Sequence, residues 1–517
     1  MMEILDIQKE QLESIDWEYL IETADIKPYY ELSILERAKD LKELMWLMEQ
    51  CLLKVKEVER IFSKSSLEIE MVNIIRQHCK LLSQQLEIYK NTPQKCTFLN
   101  FIKLKYNIRA VFKNLSGILT SSDWQSPAIS TGSLVKEKGI GQINEDVYMR
   151  MNGHEFVTNF QDRFFSEYYR IPLALQKKTL GVLTNSGMKA LEMALIAYKT
   201  ITKDVFPIYF QEGYYFEGIT LIKNIYSNAE CISSTNIYQK IENNEDIGCL
   251  LIDPGTTWPI RDGINLDLFF EKLKHHRQKK PLFIIIDRTI TSITNSILEK
   301  YEKMLPSHVV LIIVESGIKY FQLGLDLTNL GFVTFTGNIF RMKDFVDIIN
   351  HLSSVLSAIP DPVLLQRLPD PNLPFVEERL DRMARNTRLL CSFFKYMVGR
   401  NLIKEVNTSV SMDKKYQINE YPWIGTLIYV KTLYSESLSD YANECENIVR
   451  NIQPNINIYS GSSFGFDTTR LCVVEEMFSS KLNCALRISV GRETIYETLQ
   501  NALYLYNYFV NNKINYV

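Results

Sequence analysis

Three short segments carry side chains that could do chemistry, and each follows a run of apolar residues. Lys319 comes four residues after the run VVLIIVE (309–315), Asp287 closes the run PLFIIID, and NSGM (185–188) follows TLGVLT. A lysine in a partly dry pocket loses its proton readily and becomes a nucleophilic amine that can form a Schiff base. A glycine at a strand-to-helix turn lets backbone N–H groups converge on a phosphate. A carboxylate at the end of a buried strand needs a cation, and a protonated ring nitrogen would serve.

Each segment also has a simpler interpretation, and the residue types alone leave both open. Asp287 is equally suited to a helix N-cap or a structural salt bridge. The glycine turn is more often only a tight turn, and a lysine beyond a strand more often lies at the surface. Taken together in this chain order, however, a phosphate cradle, an acid for a pyridinium nitrogen and a Schiff-base lysine indicate a site for pyridoxal 5′-phosphate (PLP).

The elements that must position these segments are short apolar runs that alternate with helical stretches from about residue 180. Each run is continuous and rich in β-formers, as is typical of strands buried on both faces. The runs are TLGVLT, DVFPIYF, IGCLLID, PLFIIID, HVVLIIVE and GFVTF. The pattern predicts an α/β domain with a mostly parallel sheet. In such a sheet the ligand lies beyond the carboxyl ends of the strands, where the three segments fall.

We predict four regions along the chain. Residues 1–120 have helical periodicity and form a helical accessory domain, and residues 121–170 form an arm. Residues 171–345 form the large α/β domain, and residues 346–517 form a smaller α+β domain with a long helix, two strand-like runs and a last helix. In the first region, three-and-four spacing predicts one apolar helix face made of Leu35, Ala38, Leu41, Met45, Met48 and Leu52.

Composition excludes several classes of protein. The chain has 517 residues, of which 46% are hydrophobic and 23% charged, with a net charge of −3. This balance favours a globular protein with several domains and gives no sign of a nucleic-acid or anionic-membrane partner. No apolar run approaches the roughly 20 residues that span a bilayer, and the acidic start does not resemble a signal peptide. The nine cysteines are scattered, which predicts reduced thiols in a cytoplasmic protein and no metal site.

The order of the motifs resembles the Cys/Met-metabolism family of fold-type I PLP-dependent enzymes, which includes cystathionine γ-synthase, cystathionine lyases and methionine γ-lyase. The resemblance runs from about residue 145 to the C-terminus and rests on YMR, SGM, GYYFEG, FIIID, ESGIKY, RLDRMARN, SSFG and LRISVGRE. It implies an aspartate aminotransferase-like large domain that binds PLP. The helical first 120 residues have no counterpart in the basic family.

The resemblance also implies roles for individual residues. Lys319 would hold the cofactor as a Schiff base, Asp287 would face its ring nitrogen, and Tyr215 would stack on the ring and assist proton transfer, with Tyr214 as the alternative. The substrate α-carboxylate would bind Arg487, with a contribution from Ser463. The residues that would bind the cofactor phosphate are Ser186, Gly187, Met188 and Ser316, together with Tyr148 and Arg150 from the arm of a neighbouring subunit.

Three departures from the family pattern leave the substrate open. Trp258 stands nearest the place of the family's asparagine, Ile318 replaces the threonine before the lysine, and Phe216 and Glu217 replace a glycine pair. The resemblance favours β/γ-elimination or γ-replacement on an amino acid, as in a C–S lyase or cystathionine γ-synthase. The alternatives are an aminotransferase or other α-carbon chemistry, and a catalytically inactive scaffold.

The expected partners follow from the same resemblance. A small amino acid is the expected substrate. Because Tyr148 and Arg150 would act in a neighbouring subunit, we expect a homodimer or homotetramer. The helical accessory domain could bind a partner protein.

Overall fold

The computed structural model describes the chain in stretches. These are residues 15–27, 29–62, 66–92, 97–121, 155–169, 171–173, 175–202, 206–256, 263–294, 296–337, 344–410, 416, 419–453, 456–475 and 483–516. Three of the positions considered above, Tyr148, Arg150 and Trp258, lie outside these residues, so their predicted roles stay predictions.

The first region is helical, as its periodicity predicts. Its helices are α1 (Trp17–Ala24), α2 (Tyr29–Phe62), α3 (Ser66–Asn91) and α4 (Phe98–Ser121). Helix α5 (Glu155–Arg163) lies in the stretch predicted to be an arm. Asp16 caps α1, since the backbone N–H of Tyr19 donates to its carboxylate at 2.9 Å. Helix α2 packs against both α3 and α4. A π-helical turn, Phe164–Tyr168, continues α5 toward the large sheet.

The predicted apolar face of α2 is wrong. Leu35 and Leu52 are 41% and 37% exposed. Apart from Met48, the buried face consists of other residues, among them three carboxylates: Leu32, Glu36, Asp40, Glu43, Leu44, Leu47, Cys51, Val55 and Val58. Periodicity counts a carboxylate as polar and places it outside, but here buried arginines pair with all three, so the buried face contains them.

The second region contains a seven-stranded sheet with the order β1-β7-β6-β5-β4-β2-β3. Strands β2 to β6 pair in parallel, whereas β7 runs antiparallel to both β1 and β6. The strands are β1 (Thr179–Thr184), β2 (Ile208–Gln211), β3 (Glu230–Ile232), β4 (Cys249–Ile252), β5 (Leu282–Asp287), β6 (Val309–Ser316) and β7 (Gly331–Gly337). The predicted α/β fold with a mostly parallel sheet is confirmed.

Helices cover both faces of this sheet, which explains why its strands are continuously apolar. They are α6 (Gly187–Ile201), α7 (Phe216–Ile225), α8 (Ser234–Glu242), α9 (Leu266–Leu273), α10 (Ile297–Tyr301) and α11 (Phe345–Val355). A short helix, α12 (Pro362–Leu365), follows them, and its Leu365 belongs to the cluster that contains Phe164. Short 3₁₀ turns lie at Gln176–Lys178, Ser292–Thr294 and Glu302–Met304. The register pairs Gly331 with both Thr184 and Ser316, so the carboxyl ends of β1 and β6 meet at one edge.

The last region has a second, five-stranded sheet with the order β10-β11-β12-β9-β8, in which only β10 and β11 pair in parallel. Its elements are α13 (Leu373–Gly399), β8 (Glu405–Thr408), β9 (Leu427–Lys431), α14 (Leu438–Arg450), β10 (Ile458–Ser460), β11 (Thr469–Glu475), β12 (Cys484–Ser489) and α15 (Ile495–Tyr516). Ser437 caps α14 through a capping box with Asp440.

Helices α1 to α4, called the helical front from here on, share hydrophobic cores with the rest of the molecule. Leu44, Phe101 and Phe112 belong to the same cluster as Phe164 and Trp423. None of the helices in the described stretches is long and apolar enough to cross a membrane.

Candidate active site

A cavity of about 300 Å³ lies at the carboxyl ends of the large sheet, where the second sheet meets it. Its wall contains every predicted site residue that the structure describes. These are Ser186, Gly187, Met188, Tyr215, Asp287, Ser316, Lys319, Ser463 and Arg487. They come from six separate segments of the chain, so the fold brings together residues that the sequence keeps far apart.

The turn before α6 presents a positive helix end to this cavity. Ser186 is the N-cap, and its hydroxyl accepts from the backbone N–H of Lys189 at 3.1 Å. A Cβ on Gly187 would lie 2.8 Å from the Cβ of Ser316, so only glycine lets the helix begin this close to β6. The first N–H groups of a 15-residue helix therefore point into the cavity beside Ser316, an arrangement suited to an anion.

Asp287 is the last residue of β5 and lies on the cavity wall. The backbone N–H of Thr289 donates to its Oδ1 at 2.9 Å. Burial raises the pKa of the Asp287 carboxyl, which Thr289 and the charge of Lys319 only partly offset. No arginine, lysine or histidine among the described residues forms a salt bridge with it, so the simpler interpretation as a structural ion pair is not supported there. The cavity is therefore suited to a cation beside this carboxylate.

Lys319 lies in the turn that follows β6, with its amine directed at the second sheet. Its Nζ donates to Ser463 Oγ at 2.8 Å and lies 4.9 Å from the ring centroid of Phe464. Burial, together with the nearby charge of Arg487, lowers the pKa of Lys319 to about 8. On the order of a tenth of this amine is therefore neutral and nucleophilic at pH 7.

Arg487 lies on β12 and is 7% exposed. Its guanidinium donates to the carbonyl of Ser462, and its Nε is buried without a hydrogen-bond partner among the described residues. Within the described stretches no acidic side chain lies at salt-bridge distance from it. A buried guanidinium without a carboxylate of its own chain is a suitable partner for the carboxylate of a ligand.

Tyr215, and not Tyr214, reaches the cavity. The hydroxyl of Tyr215 donates to Glu217 Oε2 at 2.7 Å. Burial, followed by this hydrogen bond, raises the pKa of Tyr215 above its ordinary value. Tyr214 is 2% exposed and packs in the core beside Gly218 at the start of α7. Glu217, one of the departures from the family pattern, thus holds the tyrosine hydroxyl at the cavity.

Asp253 and Thr289 are among the polar wall residues that the sequence analysis does not predict. Asp253 follows β4 and accepts from the N–H of Gly255 at 2.9 Å. Thr289 accepts from the N–H of Ser316 at 3.0 Å and so links the ends of β5 and β6. Asp253 closes the run IGCLLID just as Asp287 closes PLFIIID, so the same strand-end signal would have identified it. Thr289 has no such signal, because its role depends on the neighbouring strand.

The strand ends are also joined by a buried ion pair. Arg288 Nε lies 2.6 Å from Glu315 Oε2, and the hydroxyl of Ser292 donates to Glu315 Oε1 at 2.7 Å.

Ile318, the other departure that the structure describes, contributes an apolar side chain to the wall. Within the described stretches, no group of three or more metal-ligating side chains is present.

Comparison with known proteins gives distant likenesses, and no family model matches the chain. The chain is 24% identical over 287 residues to the bifunctional enzyme flvA of Aspergillus flavus. The match covers 54% of this chain and 33% of that protein, so the chain spans about a third of the length of this curated relative.

Several solved structures are similar to the chain. Cystathionine gamma synthase from Xanthomonas oryzae pv. oryzae is 15% identical with a TM-score of 0.41, covering 62% of this chain and 81% of that one. CalE6, a methionine gamma lyase from Micromonospora echinospora, is 14% identical with a TM-score of 0.44, and the match covers 62% of this chain and 81% of that one. The histidinol-phosphate aminotransferase from Clostridium acetobutylicum is 13% identical with a TM-score of 0.45, and the match covers 71% of this chain and 94% of that one. At these TM-scores the likenesses carry no assignment.

Proposed function

We propose that this protein is a PLP-dependent enzyme of fold type I that acts on an amino acid, with Lys319 as the residue that binds the cofactor. One observation carries the proposal. Lys319, Asp287 and the turn at 186–188 were identified separately from strand-end chemistry, and they line a single cavity.

The charges of the cavity fit PLP and an amino acid. Burial raises the pKa of the Asp287 carboxyl, which lacks an ion-pair partner among the described residues. A protonated ring nitrogen would supply that partner. Arg487 is a buried cation that forms no salt bridge with an acidic side chain of the described residues, so it would bind the α-carboxylate of a substrate. The N-terminus of α6, where Gly187 allows a close approach to Ser316, fits a phosphate.

When bound, PLP supplies a pyridinium ring that stabilises negative charge developing at the α-carbon of an amino acid. Asp287 would hold the proton on the ring nitrogen. The backbone of Ser186, Gly187 and Met188 would bind the phosphate, together with the hydroxyl of Ser316.

Proton transfer falls to Lys319 and Tyr215. A pKa of about 8 lets the Lys319 amine accept a proton near neutral pH and return it later in the cycle. Ser463, at 2.8 Å, orients this amine. Tyr215, whose hydroxyl is held by Glu217, is the second proton carrier at the cavity. Because Arg487 would hold the substrate α-carboxylate, the α-proton would be presented to the same amine.

The reaction we propose is β/γ-elimination or γ-replacement on an amino acid with a leaving group on its side chain. The support is the motif order from YMR to LRISVGRE, and the presence of both proton carriers on one cavity wall. Product analysis tests it. Elimination releases an α-keto acid, ammonia and the leaving group. Replacement instead yields a new amino acid. If the amine were found on a second keto acid, the enzyme would be an aminotransferase.

The cofactor link is tested by the visible spectrum of the purified protein with PLP, before and after Lys319→Ala. We expect a yellow absorbance band that borohydride bleaches, with the cofactor then attached to Lys319, and no such band in the variant. Lys189→Ala is the matched control, because Lys189 lies on α6 beside the phosphate turn but pairs with Glu192 at 2.5 Å. Its spectrum should equal that of the wild type. A wild-type protein without the band would indicate an inactive scaffold and overturn the proposal.

A further inference from the structure

One side chain of the helical front reaches the two loops that form the lysine site. Arg109 lies on α4 and is 6% exposed. Its guanidinium donates to the carbonyl of Leu323 and pairs with the carboxylate of Asp467. The third contact, to Glu43 Oε1 on α2 at 2.8 Å, anchors the arginine within the helical front.

Both loops bear directly on Lys319. Leu323 closes the turn that contains Lys319 and has φ +53°, a conformation that a leucine keeps only when its surroundings hold it. In the other loop, Gly465 has φ +89°, and any side chain there would overlap the carbonyl of Lys319. Ser463, two residues earlier, receives the hydrogen bond from Lys319 Nζ. The position of the amine against Ser463 therefore depends on how the two loops meet.

A second arginine strengthens the same junction from α13. Arg379 Nη1 pairs with Asp467 Oδ1 at 2.6 Å, and its Nη2 donates to the carbonyl of Gly465 at 2.9 Å. Asp467 is thus bound by Arg379 from its own region and by Arg109 from the helical front. Arg379 also packs against the end of the lysine turn, because a Cβ on Gly324 would overlap its Nη2. Of these two arginines, Arg109 is the one that donates a hydrogen bond to that turn, through the carbonyl of Leu323.

We propose that Arg109 is a positioning residue that ties the turn after Lys319 to the loop carrying Ser463, and so holds the Lys319 amine in place. The helical front thereby becomes part of the support of the site. Arg109 is not on the cavity wall and acts only through the two loops. From the proposed function this inference takes only the identity of Lys319 as the reacting amine.

A merely structural role predicts a different pattern, and Arg385 provides the matched control. Arg385 lies on α13, is 2% exposed and pairs with Glu36 of α2. It joins the helical front to the last region, as Arg109 does, but it contacts neither the 319–323 turn nor the 462–467 loop. Arg109→Lys and Arg385→Lys both keep the charge and both lose the forked contacts of a guanidinium.

The experiment measures the pKa of Lys319 in the cofactor-free protein by competitive amine labelling with mass spectrometry across pH. The wild type should titrate at about 8. Arg109→Lys should shift this midpoint upward by about one pH unit, because a loosened junction admits water to the amine. Arg385→Lys should leave the midpoint unchanged, whatever it does to the melting temperature. An equal shift in both variants, or a shift in neither, would overturn the proposal.

Two features keep the test decisive. If Arg109→Lys does not fold, Asp467→Asn replaces it, since it keeps the side-chain shape and weakens both arginine contacts; the expected shift has the same sign, and no shift again counts against the proposal. The labelling also uses no cofactor. A failure of PLP to bind would therefore overturn the proposed function without altering this result.

Discussion

The two walls of the cavity are positioned by different means. On the wall formed by the large sheet, Ser186 and Asp287 are fixed by backbone N–H groups two or three residues away. On the wall formed by the last region, Ser463 lies in the 462–467 loop, to which Arg487 of β12 donates, and buried charges from distant segments fasten this loop. Asp467, in the same loop, pairs with Arg109 of α4. The first wall is local in sequence, and the second is assembled by tertiary contacts.

The buried charges form one network between the helical front and the last region. Arg382 and Arg492 share Asp40 of α2, at 2.8 and 2.9 Å. The other pairs are Arg109–Glu43, Arg109–Asp467, Arg379–Asp467, Arg382–Glu378, Arg385–Glu36, Arg492–Glu43 and Arg492–Glu378. An intact buried ion pair contributes little net stability, but removing one partner leaves the other charge buried without compensation and destabilises the fold. The difference between the walls therefore predicts different responses to the removal of a single carboxylate.

The largest effect is expected from Asp40→Asn, which leaves two buried arginines short of a partner. Burial disfavours the charged form of Asp40, but Arg382 and Arg492 outweigh it and hold its pKa below the ordinary value. We expect the free energy of unfolding to fall by about 3–5 kcal/mol, measured by denaturant titration. The control is Lys27→Ala, which removes the exposed 3.0 Å pair with Glu420 between the same two regions and should leave the midpoint unchanged. Equal midpoints for Asp40→Asn and wild type would contradict the network.

The same difference decides what the sequence alone could predict. Lys319, Asp287 and Ser186 stand at strand ends, so their types and their place after an apolar run are enough to predict a shared edge. Asp253 gives the same signal. Arg109 and Asp40 give none, because a charged residue in a helix is ordinarily exposed and nothing local indicates its partner. The sequence leaves Tyr214 as an alternative to Tyr215, and the structure decides between these neighbours because Tyr215 lies on the cavity wall and Tyr214 in the core.

The shifted face of α2 has the same physical origin. The periodicity of Leu35 and Leu52 is genuine, but a helix buries the face that its neighbours can match. Arg382, Arg385 and Arg492 are buried opposite α2 and require carboxylates there. The sequence therefore indicates that this helix exists more securely than it indicates which side is buried.

Asp287→Asn should separate function from stability on the first wall. None of the described arginines pairs with its carboxylate, and burial already raises the pKa of Asp287. A neutral side chain of the same shape therefore removes a desolvation cost without leaving a buried arginine unpaired in the described stretches. We expect the melting temperature of the cofactor-free protein to stay the same or rise. With PLP, kcat/KM should fall on the order of 100-fold, equivalent to about 2.7 kcal/mol, because the ring nitrogen loses its acid.

The informative outcome is the contrast with Asp40→Asn, measured by melting the two variants side by side. If Asp287→Asn destabilised the cofactor-free protein as much as Asp40→Asn does, the two walls would be held alike, and the comparison would fail. Unchanged kcat/KM in Asp287→Asn would instead count against the role proposed for this carboxylate.

The smallest effect concerns Glu493, a buried residue beside the network. Its carboxyl forms no salt bridge with any of the described arginines. It accepts from the N–H of Thr469 and, at 3.3 Å, from Asn501. Burial raises the pKa of Glu493 to about 8. A carboxyl whose pKa is higher in the folded than in the unfolded state stabilises the fold at low pH, and this contribution is lost as the pH rises toward 8. Glu493→Gln, which imitates the protonated form, should therefore match the wild type at about pH 5 and be more stable than the wild type at about pH 8.5. Thermal melts at the two pH values measure this difference. A variant less stable than the wild type at the higher pH would mean that Glu493 is ionised and paired like the carboxylates of the network, so that arginine pairing extends further through the last region than its salt bridges indicate.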